Sequence, residues 1–93
     1  MNKYESMYIL KPDIVEETRK SIVEKFKTLV EENGGKIEKV DEWGIRKLAY
    51  EINYISEGYY VLMTFEAEPA LPLELERNYN IHDGVLRYNI IRL

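Results

Sequence analysis

Along Lys3 to Leu10 the side chains alternate with the two-residue period of a β-strand, Tyr4, Tyr8 and Leu10 on one side and Met7 and Ile9 on the other. Both sides are apolar, so both are expected to be covered. Asp13 then stands three residues before Glu16, a D-x-x-E spacing in which the aspartate accepts hydrogen bonds from first-turn amides and the glutamate reaches back. A helix is predicted to begin there. Its buried stripe runs through Val15, Thr18, Ile22, Phe26, Leu29 and Val30 at spacings of three and four, leaving Glu17, Lys20, Glu24, Lys27 and Glu31 outward. Asn33-Gly34-Gly35 supplies the stop.

Lys36 to Ile52 is long for one strand, and its alternation slips phase at Ile37, Val40, Trp43, Ile45, Leu48, Tyr50 and Ile52. A slip of one residue turns side chains to the opposite face, so a bulge near Gly44 is expected. Asn53 to Gly58 reads as a turn, and Tyr59 to Ala67 as the antiparallel partner strand. Pro69 and Pro72 suit the start of a short helix with Leu71, Leu75 and Tyr79 inward. Asp83-Gly84 turns the chain into a last strand, Val85 to Leu93.

The order strand, helix, strand, strand, helix, strand is the split βαβ, or ferredoxin-like, arrangement of the α+β class. With right-handed crossovers it places two helices on one face of a four-stranded antiparallel sheet. The expected core is Tyr4, Tyr8, Leu10, Ile22, Phe26, Leu29, Leu48, Tyr59, Val61, Met63, Phe65 and Leu75. The opposite sheet face should carry Met7, Ile9, Tyr60 and Leu62, which makes it a candidate partner-contact face.

Ninety-three residues allow one domain, residues 1–93. Hydrophobic residues at 45% exclude a disordered chain. With no cysteine there is no disulfide framework, thiolate nucleophile or cysteine zinc site. The opening MNKYESMYIL carries Glu5 and no long apolar run, so neither a signal peptide nor a membrane span is read, and an intracellular location is expected. The formal net charge of -4 argues against binding nucleic acid alone, since phosphate affinity rests on clustered Lys and Arg. The charge is unevenly spread, however. Glu66, Glu68, Glu74 and Glu76 fall in a stretch without a base, whereas Arg77, Arg87 and Arg92 face only Asp83 in the last seventeen residues.

Candidate chemistry is sparse. His82 is the single histidine, with no second His or Cys to share a metal and no nucleophile motif nearby, so an enzyme and a metal site are both read against. Gly34-Gly35 lacks the spacing of a phosphate loop. The tyrosines could form base-stacking platforms, but Tyr4, Tyr8 and Tyr59 fall on the helix-facing side and read better as core. Arg46 and Lys47, set against Leu48, Tyr50 and Ile52, fit either a solvated strand or a phosphate contact.

Four stretches carry a resemblance: YESMYILKPD, KIEKVDEWGIRKLAYEI, GYYVLMTFEAEP and LERNYNIHDGVLRYNIIRL. Together they span nearly the whole chain, and W-G-I-R-K-L-A-Y and D-G-V-L-R-Y are the most specific parts. The sequence resembles the S-six family of bacterial small-subunit ribosomal proteins. The resemblance implies the same split βαβ fold and a non-catalytic structural component of the small (30S) subunit. It implies binding to the central domain of 16S ribosomal RNA together with a small basic partner, the S-eighteen protein, which would supply much of the phosphate neutralisation that this acidic chain lacks.

The family's basic positions fall on Arg46, Lys47 and Arg87, and more loosely on His82; Arg92, in the same last strand, is counted with them as a candidate rRNA contact. No cofactor, metal, membrane or small-molecule ligand is implied, and the location is cytoplasmic, on the ribosome. Two departures stand out. Many members carry a polar, often acidic tail, and this sequence ends at Leu93, so contact through such a tail is not expected. Asn80 and His82 occupy a turn where members often have Arg, so weaker or pH-sensitive phosphate contacts are expected there. Because this fold hosts many functions, two rivals stay open: a binding domain with another partner, and a small-molecule or enzymatic domain, which would need convergent polar groups in a pocket.

Overall fold

Six elements follow in the expected order in the computed structural model, which describes residues 1–93: β1 (Asn2–Leu10), α1 (Glu16–Glu32), β2 (Lys36–Ile52), β3 (Ile55–Ala67), α2 (Leu71–Ile81) and β4 (Val85–Arg92). The strands form one antiparallel sheet in the order β2-β3-β1-β4. This is the split βαβ topology that the hydrophobic pattern predicts.

Between helices and sheet lies one core. Tyr4, Tyr8 and Leu10 of β1, Val61, Met63, Phe65 and Ala67 of β3, Ile22, Val23, Phe26 and Val30 of α1, and Leu71, Leu75 and Tyr79 of α2 are all buried in it. At its centre three rings meet edge to face or tilted, with centroids 4.7 Å apart for Phe26 and Tyr79 and 5.1 Å for Tyr8 with each of them. Ser6 is the one buried polar residue, and its hydroxyl shares a 2.6 Å hydrogen bond with that of Tyr79. Burial pushes the phenols of Tyr8 and Tyr79 well above their ordinary range, so both stay neutral.

Asp13 does not cap α1. The N-cap is Val15, with no side-chain hydrogen bond, and the Glu16 and Glu17 carboxylates in the first turn are what oppose the helix dipole there. The helix stops as expected: the Gly34 amide donates to the Glu31 carbonyl and the Gly35 amide to the Val30 carbonyl.

The bulge expected near Gly44 is present. The β2–β3 register shifts between Glu42 and Gly44, leaving Trp43 as the extra residue, and Gly44 takes a left-handed φ of 83° that would strain any side chain. A second shift, between Ile37 and Lys39, matches the odd spacing from Ile37 to Val40, and a third falls between Lys47 and Ile52. The turn is much tighter than Asn53 to Gly58. Pairing breaks after Lys47 opposite Glu57 and resumes at Ile52 opposite Ile55, so Asn53 and Tyr54 alone close the hairpin.

Three core assignments need correction. Leu29 and Tyr59 are only half-buried against the core. Leu48 is buried, but not between helices and sheet. A Cβ at Gly58 would collide with Ile9 Cγ2 and lie 3.4 Å from Leu48 Cδ2, so Leu48 and Ile9 meet over that glycine. Ile9 lies opposite Tyr60, on the face away from Tyr8. The pair therefore forms a small second core on the outer sheet face, and Ile9, expected to be exposed there, is buried.

Candidate nucleic-acid interface

Strand lengths create the site. β1 ends at Leu10, opposite Tyr59, while β2 and β3 continue past it to Ile52 and Ile55. The hairpin from Arg46 to Gly58 thus projects beyond the neighbouring strand. Its end bends across the outer face: Ile9, Leu48, Ala49, Tyr50, Ile52, Tyr60 and Arg87 line one small cleft there, about 200 Å³ in volume. The Arg87 guanidinium lies over the Tyr50 ring, 4.6 Å from its centroid, which ties the hairpin of β2 and β3 to the start of β4.

The hairpin and β4 bring part of the expected basic set together. Arg46 pairs in register with Gly58, and Arg87 with Ile9, so both belong to the outer face. Lys47, opposite Glu57, points to the other face of the same ribbon. Adjacent in sequence, Arg46 and Lys47 therefore flank the hairpin instead of forming one patch. None of Arg46, Lys47 and Arg87 has a carboxylate within 4.0 Å, whereas Lys3, Lys20, Lys39 and Arg77 are all ion-paired. Arg46 is oriented by a 3.4 Å hydrogen bond from its Nε to the Trp43 carbonyl, which the bulge turns toward it.

Arg92 and His82 stand apart from this group. Arg92 is at the far end of β4, five residues or roughly 17 Å of strand from Arg87, and its guanidinium donates to Asn2 Oδ1 at 3.0 Å. His82 is the C-cap of α2 and faces inward, its ring 5.7 Å from that of Phe26. Its Nδ1 accepts a 3.0 Å hydrogen bond from the Gly84 amide, so the neutral imidazole holds the turn into β4. Burial lowers its pKa, the Lys25 ammonium lowers it further, and Asp83 opposes them.

On the outer face, Met7 opposite Leu62 and Tyr60 beside the bulge are half-buried. Trp43 extends this apolar strip. Its ring is parallel to that of Tyr60 within 8°, at a centroid separation of 6.4 Å, and its Nε1 donates to Asp41. Sequence reasoning placed Trp43 only as a phase slip; the bulge that sets its face was the signal that it belongs with Tyr60. No group of three or more His, Asp or Glu residues gathers as a metal site, and no helix is long and apolar enough to cross a membrane.

The class of protein is set by its relatives, which are proteins of the small ribosomal subunit. The Caldanaerobacter subterraneus small ribosomal subunit protein bS6 is 60% identical over 92 residues, covering 99% of this chain and 97% of that protein. The Clostridium novyi protein of the same name is 53% identical over 91 residues, covering 98% and 96%. The crystal structure of the 30S ribosomal protein S6 from Thermotoga maritima superimposes with a TM-score of 0.94 at 39% identity, over 99% of this chain and 87% of that one. Fold alone is shared more widely: the C-terminal domain of MgtC from Mycobacterium tuberculosis matches with a TM-score of 0.65 at 11% identity.

Residues 3–92 match the family model described as ribosomal protein S6, and the chain belongs to that family. It is a structural protein of the small ribosomal subunit, cytoplasmic and ribosome-associated, and not an enzyme.

Proposed function

We propose that the protein binds the central domain of 16S ribosomal RNA jointly with the S-eighteen protein, with Arg46, Lys47 and Arg87 as phosphate contacts. The observation that carries this reading is that Arg46 and Lys47 on the projecting hairpin, and Arg87 packed against it, have no carboxylate partner in a chain whose net charge is -4. Such groups keep their full charge for a phosphate, because no internal ion pair must be broken first. A basic protein seated on the outer face would cover Met7, Tyr60 and Leu62 and offset the remaining acidity. Ile9 contributes from beneath, by supporting Leu48, rather than as a contact. Arg92 and His82 join the proposed RNA contacts only at the margin, since Arg92 is distant and the His82 Nδ1 is already engaged.

Labelled central-domain RNA titrated with each protein alone and with both tests this. Weak binding by this protein alone and cooperative binding by the pair are expected. Tight binding by this protein alone, unchanged by the partner, would overturn it.

A further inference from the structure

The tip of the hairpin contradicts its own stereochemistry. Asn53 and Tyr54 close a two-residue loop with φ values of 49° and 66°, the pair of left-handed conformations of a type I′ turn. Asn followed by Gly is the favoured pair for that turn. The chain has the favoured Asn at its first position and a tyrosine at its second, where a bulky side chain is strained. Burial of the ring usually offsets such a cost. Here it does not, because Tyr54 is 96% exposed, more than any other large hydrophobic residue of the protein.

Strain held at a place where it contributes nothing to the fold points to a contact outside the fold. The chemistry of that contact follows from the surroundings. Asn53, Glu51, Ser56 and Glu57 around the tip are exposed and polar, and although Pro12, Ile45 and Ile55 share an open cleft with Tyr54, they leave its ring 96% exposed and form no enclosing apolar rim of the kind that surrounds an aromatic anchor in a protein interface. Both of its faces are open, as stacking on a planar partner requires. The same ribbon carries Lys47 and Arg46 without carboxylate partners, seven and eight residues before Tyr54 in the chain. A ring with two free faces, on a projecting ribbon flanked by cations, suits a single-stranded or splayed nucleotide: phosphates beside the ribbon and an unpaired base on the ring.

We propose that Tyr54 is a base-stacking residue, which contacts an unpaired base of the RNA held by this end of the protein. The inference rests on the RNA-binding reading above. It separates from that reading because stacking and phosphate contact respond differently to salt.

The test uses the full chain with its protein partner and central-domain RNA. Affinity is measured at several salt concentrations for the wild type, Tyr54→Gly, Tyr54→Phe and Tyr54→Leu, with a thermal midpoint for each. Tyr54→Gly creates the preferred Asn-Gly turn, so it should melt at a higher temperature while binding RNA about tenfold more weakly, with the wild-type salt slope. Tyr54→Phe should bind as the wild type does, and Tyr54→Leu as the glycine variant. Wild-type affinity in Tyr54→Gly would overturn the inference, as would a leucine variant that binds normally. A loss confined to affinity for the protein partner without RNA would also overturn it, and would make the tip a protein contact. Failure of the wild type to bind RNA at all would instead remove the reading on which it rests.

Discussion

The helix-covered body of the sheet and the hairpin beyond β1 are built from the same two strands, yet they obey opposite rules. In the body, β3 places Val61, Met63, Phe65 and Ala67 under two helices with no exposed surface. A few residues toward the hairpin, Arg46, Lys47, Tyr50 and Tyr54 of the same ribbon are all exposed. No change of secondary structure separates them. What changes is the neighbour: β1 ends after nine residues, whereas β2 runs for seventeen and β3 for thirteen. Strand length, set by where Lys11-Pro12 interrupts β1, divides the molecule into a part that folds and a part that is presented.

The contrast predicts a steep gradient of mutational cost. Val61→Glu should abolish folding, because it buries a charge without a partner, whereas Leu62→Glu, on the half-open outer face, should leave a folded domain with altered association. Circular dichroism and thermal melts of the pair distinguish the two faces, and equal losses would dissolve the distinction. Next in size, Phe26→Ala should cost about 3 to 5 kcal/mol. Leu48→Ala, in the small outer core over Gly58, should fall near 2 kcal/mol, the lower end for such a truncation, by denaturant unfolding. A Leu48 variant as costly as the Phe26 variant would mean that the hairpin is an integral part of the main core.

At the hairpin itself, Arg46→Ala with Lys47→Ala should change stability by less than about 0.5 kcal/mol. RNA affinity should fall, and its salt dependence should flatten by about one counterion for each phosphate that the variant no longer neutralises. Arg87→Ala is expected to act in the same direction, with some loosening of the hairpin because its stack on Tyr50 is removed.

The smallest effect concerns the His82 turn. Its pKa is lowered in the folded protein, so as pH falls through the ordinary value of 6.5 the unfolded chain takes up the proton first. Stability should therefore be full above pH 6.5 and decline below it, levelling only once the folded protein is protonated too. As His82 is the only histidine, His82→Gln should remove this slope near pH 6, read from thermal midpoints across pH.

Much of this was legible in the chain. Periods of two and three-and-four placed the helices and the strands β1 and β3, because each has one face committed to the core. The phase slip at Trp43 announced the bulge, since only an extra residue can turn an alternating strand over. The cap at Asp13 was misread because its spacing is local, while the actual start of α1 depends on how the β1–α1 loop is held; the Lys11 amide is tied to the Gly84 carbonyl across the fold. Leu48 and Ile9 were each assigned to a face by alternation alone. Their meeting depends on the hairpin bending over a glycine, a tertiary event that alternation does not encode. Arg46 and Lys47 looked like a pair for the same reason: neighbours in sequence are opposites on a strand.

The long second strand has one further consequence, for the time before the protein reaches its ribosome. β2 is an outer edge of the sheet, paired with β3 on one side only, and the open backbone side of a seventeen-residue strand would ordinarily invite another chain to add a strand. Three register breaks interrupt it, after Ile37, after Glu42 and after Lys47, and Lys36, Glu38, Lys39, Glu42, Arg46 and Lys47 punctuate it with charge. A flat template of that length is thus cut into short, kinked and charged pieces that cannot zip onto a like strand. The irregularity that aims Trp43 also protects the newly made protein from self-association.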